Sequence, residues 1–195
     1  MLLPELLASK NIILASNSPR RKEYLQQLGL VFETKPTNAD ESYPDDFLAS
    51  EITDHIALQK ALAAGALKAT DLLIASDTIV WHQNQALGKP NNEEEAVAIL
   101  SSLSGKTHEV ISSVCLRTAE KTVVFNDITA VSFKALTLEE IQFYVANYQP
   151  YDKAGAYGIQ EWIGLIGIEK IEGSYTNVVG LPMEKLYQQL ILFVS

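Results

Sequence analysis

Sulfur chemistry is almost missing from this sequence: of 195 residues only Cys115 is a cysteine. One thiol excludes an intramolecular disulfide framework and any cysteine-rich metal cluster. Its place in the apolar, strand-like run 110–116 points to a buried, inert side chain rather than a nucleophile. Positive charge is also scarce. Lys and Arg together number 15 against 24 Asp and Glu, a net charge of −9, which argues against non-specific binding to nucleic acid or to an anionic membrane. An anionic ligand must then be met by a few local cations. No apolar stretch reaches membrane-spanning length, and the N-terminus lacks the basic, apolar and small-residue sequence of a leader. A reducing, cytoplasmic setting is the expectation. Internal repeats and low-complexity segments are absent as well. Gly105-Lys106-Thr107 is not a P-loop, since Leu100 stands where the earlier glycine belongs and a strand-like run follows.

What the sequence does contain is a turn built for charge. Asn11-Ile12-Ile13-Leu14-Ala15 is an apolar run of strand length, followed by Ser16-Asn17-Ser18-Pro19-Arg20-Arg21 and a helix that ends before Gly29. Ser18 suits the N-cap, Pro19 the first helical position and Gly29 the residue past the end. A strand feeding a helix N-terminus makes an anion site from unpaired N–H groups and the positive dipole end. Arg20 and Arg21 oppose that dipole and repel each other, so they require a negative partner, either a ligand or a carboxylate of the fold.

Further along, residues 30–34 form a second strand, and an acidic loop carries Asp40 and Glu41. A helix is expected from Asp46, with Phe47, Leu48, Ile52, Ile56 and Ala63 on one stripe. Lys60 falls on that stripe, where a lysine either snorkels to solvent or reaches into a pocket. Residues 72–75 and 79–81 are apolar strand on either side of Ser76-Asp77-Thr78. A carboxylate there is costly to bury unless paired, bound to metal, or satisfied by backbone N–H groups at a bend. Gln83-Asn84-Gln85 is a turn, Gly88-Lys89-Pro90 leads out of the hairpin, and Asn91-Asn92 cap a helix whose Glu93, Glu94 and Glu95 complement its dipole. Residues 107–119 and 122–133 read as a long hairpin, and Thr137 with Glu140 as a capping box. The small-residue loop from Asp152 to Gln160 includes Lys153. Residues 165–171 read as strand, 173–177 as loop, and the last helix reaches Phe193.

Strands joined partly by hairpins and partly by helices imply an α/β chain, a mixed sheet with helices on its faces, in one continuous unit. Arg20, Arg21, Glu41, Lys60, Asp77, Lys89 and Lys153 fit poorly with a purely structural account. Several cations with a few carboxylates are what hydrolysis of a phosphate ester or anhydride with a divalent metal requires.

Six blocks in order carry a resemblance. They are Leu14 to Arg21, Ser76 to Val80, Gly88-Lys89-Pro90, Leu103 to His108, Asp152 to Gln160, and Gly173-Ser174-Tyr175 with Asn177 to Pro182. Together they resemble the Maf family of nucleoside triphosphate pyrophosphatases over about residues 12–190. The resemblance implies a two-lobed fold around a long mixed β-sheet, similar to inosine triphosphate pyrophosphatases, with the nucleotide in a cleft between lobes of one Maf-like domain, 1–195. It implies hydrolysis of a nucleoside triphosphate to the monophosphate and pyrophosphate with Mg²⁺, or Mn²⁺ in its place. Asp77 matches the general base or a metal ligand, and Glu41 a metal-binding carboxylate. Ser16, Arg21, Lys60 and Lys89 match positions around the triphosphate. Arg20, Thr78 and Gln160 stand at the specificity positions and resemble the dTTP/UTP branch, which removes non-standard nucleotides as a housekeeping function. The rival readings are 7-methyl-GTP hydrolysis and a non-catalytic nucleotide sensor that inhibits septum formation. Family members often pair as homodimers; nucleic acid and membrane are not expected partners.

Overall fold

In the computed structural model, which describes residues 2–194, the chain opens with one helical turn, α1 (Leu3–Leu6), that buries Leu3. Residues 1 and 195, the ends of the expected domain, lie outside the described residues. Strand β1 (Asn11–Leu14) leads into α2 (Pro19–Gln27). The helix starts as its residue types require: Ser18 Oγ accepts from the Arg21 N–H, Pro19 opens the first turn, and Gly29 takes φ +74° just past the end. Then come β2 (Phe32–Thr34), α3 (Ser50–Leu62) and β3 (Asp71–His82), a continuous strand of 12 residues. Strand β1 lies between β2 and β3, parallel to both.

The period of two along β1 and β3 decides what each face meets. Ile12, Leu14, Leu72 and Ile74 pack with Leu25 of α2 and, from the C-terminal end of the chain, Leu186 and Leu190. Ile13, Ala15, Leu73 and Ala75 pack with Ala57 and Ala61 of α3 and with Cys115. Asp77, two residues beyond Ala75, therefore projects toward the α3 face. Burial pushes the Cys115 thiol up to about 12, as an inert core thiol requires.

A tight turn with positive φ at Gln83 and Asn84 joins β3 to the antiparallel β4 (Gln85–Leu87). Helix α4 (Glu93–Leu103) is capped by Asn92, whose side chain accepts from the Glu95 N–H. Strands β5 (Thr107–Arg117) and β6 (Thr122–Phe133) follow, then α5 (Leu138–Tyr148) behind the Thr137–Glu140 capping box. A 3₁₀ turn (Ala154–Ala156) precedes α6 (Trp162–Gly167), β7 (Ile168–Glu172), α7 (Tyr175–Val179) and α8 (Met183–Val194). The sheet order is β2-β1-β3-β5-β6-β7, with β4 beside β3. This is the mixed α/β sheet expected.

Three local expectations are corrected. The helix expected from Asp46 begins at Ser50, because Ala49 takes φ +50° and the Glu51 carboxylate accepts from the Leu48 N–H at 2.9 Å, holding the preceding residues in a turn. Residues 162–167 are helix where 165–171 reads as strand, with only Ile168–Glu172 extended; Leu165 faces solvent, 82% exposed. Residues 175–179 are a short helix where a loop was expected.

The chain divides into two compact units. One comprises the chain up to Asp77, Ser112–Asp127 and the chain from Gly180; the other comprises Thr78–Ile111 and Ile128–Val179. In the second, His108 Nε2 meets Tyr157 Oη at 2.8 Å with its ring edge-on to Phe133. Burial, helped by His82, lowers its pKa to about 4, so the ring is neutral. Among the described residues, no helix is long and apolar enough to cross a membrane.

Candidate functional site

In the first unit, three polar side chains meet where α3 faces β3. Lys60 lies one turn after Ile56 on the buried stripe of α3, and its ammonium reaches Asp77 Oδ1 at 2.7 Å. The same ammonium reaches Glu41 Oε1 at 3.0 Å. Of the two fates open to a lysine on this stripe, the inward one is observed. The side chains of Lys60 and Asp77 are 14% and 11% exposed, whereas that of Glu41 is 56% exposed, so the cluster opens at its Glu41 end. Thr37, in the loop that carries Glu41, donates its hydroxyl to the Lys60 carbonyl at 3.0 Å, tying that loop to the helix.

The turn after β1 supplies the second half of this cluster. Arg21 donates through Nε to the Gly180 carbonyl at 2.9 Å and through Nη1 to the Ser76 carbonyl at 2.7 Å, with a longer contact to Ser16 Oγ at 3.4 Å. Ser16 Oγ also accepts from the Ser18 N–H at 3.1 Å. Burial draws the guanidinium below its usual range; Asp77 opposes that pull, Arg20 adds to it, and Glu41 opposes it again. Electrostatically, then, Arg20, Arg21, Glu41 and Asp77 belong to one cluster, and Lys60 joins it through its ion pairs. Arg21 uses much of its donor fork on the protein itself, a structural duty that the motif alone does not reveal.

Glu41 and Asp77 face the same ammonium, and among the described residues no set of three or more His, Cys, Asp or Glu converges for a metal. Two carboxylates make an incomplete cage of protein ligands. They are the number a hard cation takes when substrate phosphates and water complete its oxygen shell.

The second unit holds Thr78, Lys89, Lys153 and Gln160. Lys89 is exposed, and the carbonyl of its neighbour Gly88 accepts from the Gly155 N–H at 3.1 Å, so the segments carrying Lys89 and Gln160 are hydrogen-bonded together. Gln160 is exposed and Thr78 half-buried. Lys153 departs from its expected place among the ligand cations. Its ammonium is spent on Asp152 Oδ1 at 2.7 Å and Glu161 Oε1 at 3.1 Å, and its side chain is 10% exposed. Glu161 and Tyr144, which anchor this region, were not singled out from the sequence. The nearest signal for Glu161 was a carboxylate directly after a loop of small residues.

The chain matches the family model described as Maf-like protein over residues 11–193. It is similar to the dTTP/UTP pyrophosphatase of Flavobacterium johnsoniae, 51% identical over 194 residues, or 99% of this chain and 100% of that one. That of Flavobacterium psychrophilum is 55% identical over 181 residues, 92% of this chain and 93% of that one. The dTTP/UTP pyrophosphatase of Bacteroides fragilis is 53% identical over 182 residues, covering 92% and 94%. Among solved structures, a HAM1 protein from Coxiella burnetii aligns over 94% of this chain and 99% of that one at 15% identity with a TM-score of 0.48. With the turn after β1, the Asp77 strand and the Gly155 loop all inside the matched span, the chain belongs to the Maf family.

Proposed function

We propose that the chain is a nucleoside triphosphate pyrophosphatase that hydrolyses dTTP and UTP to the monophosphate and pyrophosphate. The observation that carries this reading is the buried pair of Asp77 and Lys60, bridged to Glu41 at its open end. A carboxylate neutralised by a lysine is poised for exchange. A triphosphate draws the Lys60 ammonium toward its own oxygens and leaves Asp77 free to act. The printed activity of relatives identical at half their positions supports the same substrate class.

In this reading Asp77 accepts a proton from the water whose oxygen attacks the α-phosphorus, and the bond from that phosphorus to the bridging oxygen breaks to release pyrophosphate. Glu41 and Asp77 are the residues that would hold a divalent cation, Mg²⁺ or Mn²⁺, which would supply Lewis-acid neutralisation of the phosphates. Arg21, Lys60 and Lys89 balance the triphosphate charge, as a chain of net charge −9 requires, and the Ser16 hydroxyl donates a hydrogen bond to it. Arg20, Thr78 and Gln160 discriminate the base. The exposed Gln160 amide offers one donor and one acceptor group to the N3–H and O4 edge of thymine or uracil.

The test is pyrophosphate release from dTTP, UTP, CTP, ATP, GTP and 7-methyl-GTP by the wild type and by Gln160→Glu. Wild-type release is expected mainly from dTTP and UTP. In Gln160→Glu the acceptor-only carboxylate faces O4 without a donor and suits the adjacent N1–H and N2 amino donors of guanine, so the kcat/KM ratio of dTTP to GTP is expected to fall about tenfold or more. Nucleotide binding without release from any substrate would overturn the enzymatic reading. An unchanged ratio in the variant would return Gln160 to a role in loop structure.

A further inference from the structure

We propose that Tyr144, Glu161 and Lys153 form a clamp that aims Gln160, making them positioning residues for base selectivity that do not themselves touch the nucleotide. The proposal rests on the reading of Gln160 given above. It begins with a tight turn: the Glu161 N–H donates to the Gly158 carbonyl at 3.0 Å, leaving Ile159 and Gln160 as the central residues. Ile159 is buried at 6% exposure, so the turn is held from within. Glu161, in extended backbone at φ −96° and ψ 179°, turns its side chain inward to Tyr144 and Lys153, while Gln160, at the corner of the turn, is exposed. Fixing Ile159 and Glu161 on either side of it thus fixes the corner that presents Gln160.

Both oxygens of the Glu161 carboxylate are taken. Tyr144 Oη, on α5, donates to Oε2, and Lys153 Nζ pairs with Oε1 at 3.1 Å. The same Tyr144 hydroxyl accepts from the Gly158 N–H at 3.0 Å. One buried hydroxyl therefore grips both ends of the turn. Tyr144 is fully buried, so its ring has no freedom to release them.

The glycines of the loop make this fit possible. A Cβ at Gly158 would lie 2.8 Å from Glu161 Cδ, and one at Gly155 would lie 2.5 Å from Val80 Cγ2, on the strand that carries Thr78. Gly155 and Ala156 both take positive φ, 70° and 58°, and Ala156 is fully buried. A non-glycine residue in that conformation persists only where its surroundings over-determine it. None of these residues pairs with a group that the proposed chemistry uses; the three clamp side chains spend their polar groups on one another, on Asp152 and on the Gly158 N–H.

The experiment compares Tyr144→Phe, Gln160→Ala and the double variant, with dTTP and CTP as substrates and hydrogen exchange at the Gly158 and Glu161 amides. Tyr144→Phe keeps the ring and removes only the hydroxyl. It is expected to raise KM for dTTP about five- to tenfold with kcat within about twofold, and to shift the dTTP-to-CTP ratio toward that of Gln160→Ala. In the Gln160→Ala background it is expected to add almost nothing to that shift, since both changes remove the same aimed amide. Faster exchange of the Gly158 amide is expected alongside. A Tyr144→Phe protein that melts lower but keeps the wild-type ratio, or whose effect adds fully to that of Gln160→Ala, would overturn the proposal. An unchanged ratio in Gln160→Ala itself would overturn the base-reading role of Gln160 and the selectivity claim with it. Unchanged exchange at Gly158 in Tyr144→Phe would overturn the clamp independently of any substrate result.

Discussion

Asp77→Asn is expected to bind dTTP and to hydrolyse it about a thousandfold more slowly than the wild type. The substitution is nearly isosteric, and β3 continues past position 77 on both sides, so the strand has no reason to move. Lys60 keeps Glu41 as an ion-pair partner at 3.0 Å. What disappears is the negative oxygen that accepts a proton and faces the metal position. General-base catalysis by a positioned carboxylate contributes about 10²- to 10⁴-fold, and loss of metal neutralisation acts in the same direction. Calorimetric titration of dTTP and pyrophosphate release from the same preparation separate the two effects. Turnover within about tenfold of wild type would remove Asp77 from the proton transfer.

Arg21→Met is expected to lower the melting temperature by about 6–12 °C. Arg21 binds the Ser76 carbonyl on β3 and the Gly180 carbonyl before α8 from its own position on α2, so one guanidinium ties three segments of the first unit. Methionine fills part of the space and leaves those acceptors without their charged donor. Hydrogen bonds to charged groups contribute about 1.5–3 kcal/mol each, so two lost bonds cost roughly 3 kcal/mol or more. At about 2–4 °C per kcal/mol for a chain of this size, the shift is readily measured. A melting temperature within about 1 °C of wild type would show that water replaces the guanidinium at both carbonyls, and would leave Arg21 with a ligand role alone.

What could be read in the sequence was what short-range chemistry dictates. Ser18, Pro19 and Gly29 define α2, Asn92 defines α4, and Thr137 with Glu140 defines α5, because each is a local solution to unpaired backbone groups. Asp77 stood out because a carboxylate between apolar runs needs a partner, and the structure supplies it as Lys60 from 17 residues upstream. The choice between a lysine that snorkels and one that reaches inward was not legible, since it depends on which face of β3 carries Asp77 opposite α3. Ser76-Asp77-Thr78 lies within the strand with its polar groups satisfied, the Ser76 carbonyl by Arg21 and the Asp77 carboxylate by Lys60.

The helix at Trp162–Gly167 was not legible either. Trp162 to Gly167 mixes apolar residues with glycines at no clear period, so neither helix nor strand is specified locally. Gly164 settles it through packing, lying so close to the Ile159 carbonyl that a Cβ would sit 1.7 Å from its oxygen. Such an approach is invisible in a linear pattern. The clamp on Glu161 is equally hidden, since Tyr144 lies 17 residues earlier and reads as an ordinary core position on α5.

Attack at the α-phosphorus is tested by product analysis of dTTP hydrolysis in ¹⁸O-labelled water with Mg²⁺. One labelled oxygen is expected in the nucleoside monophosphate and none in the pyrophosphate. Label in the pyrophosphate, or release of orthophosphate with a nucleoside diphosphate, would contradict it.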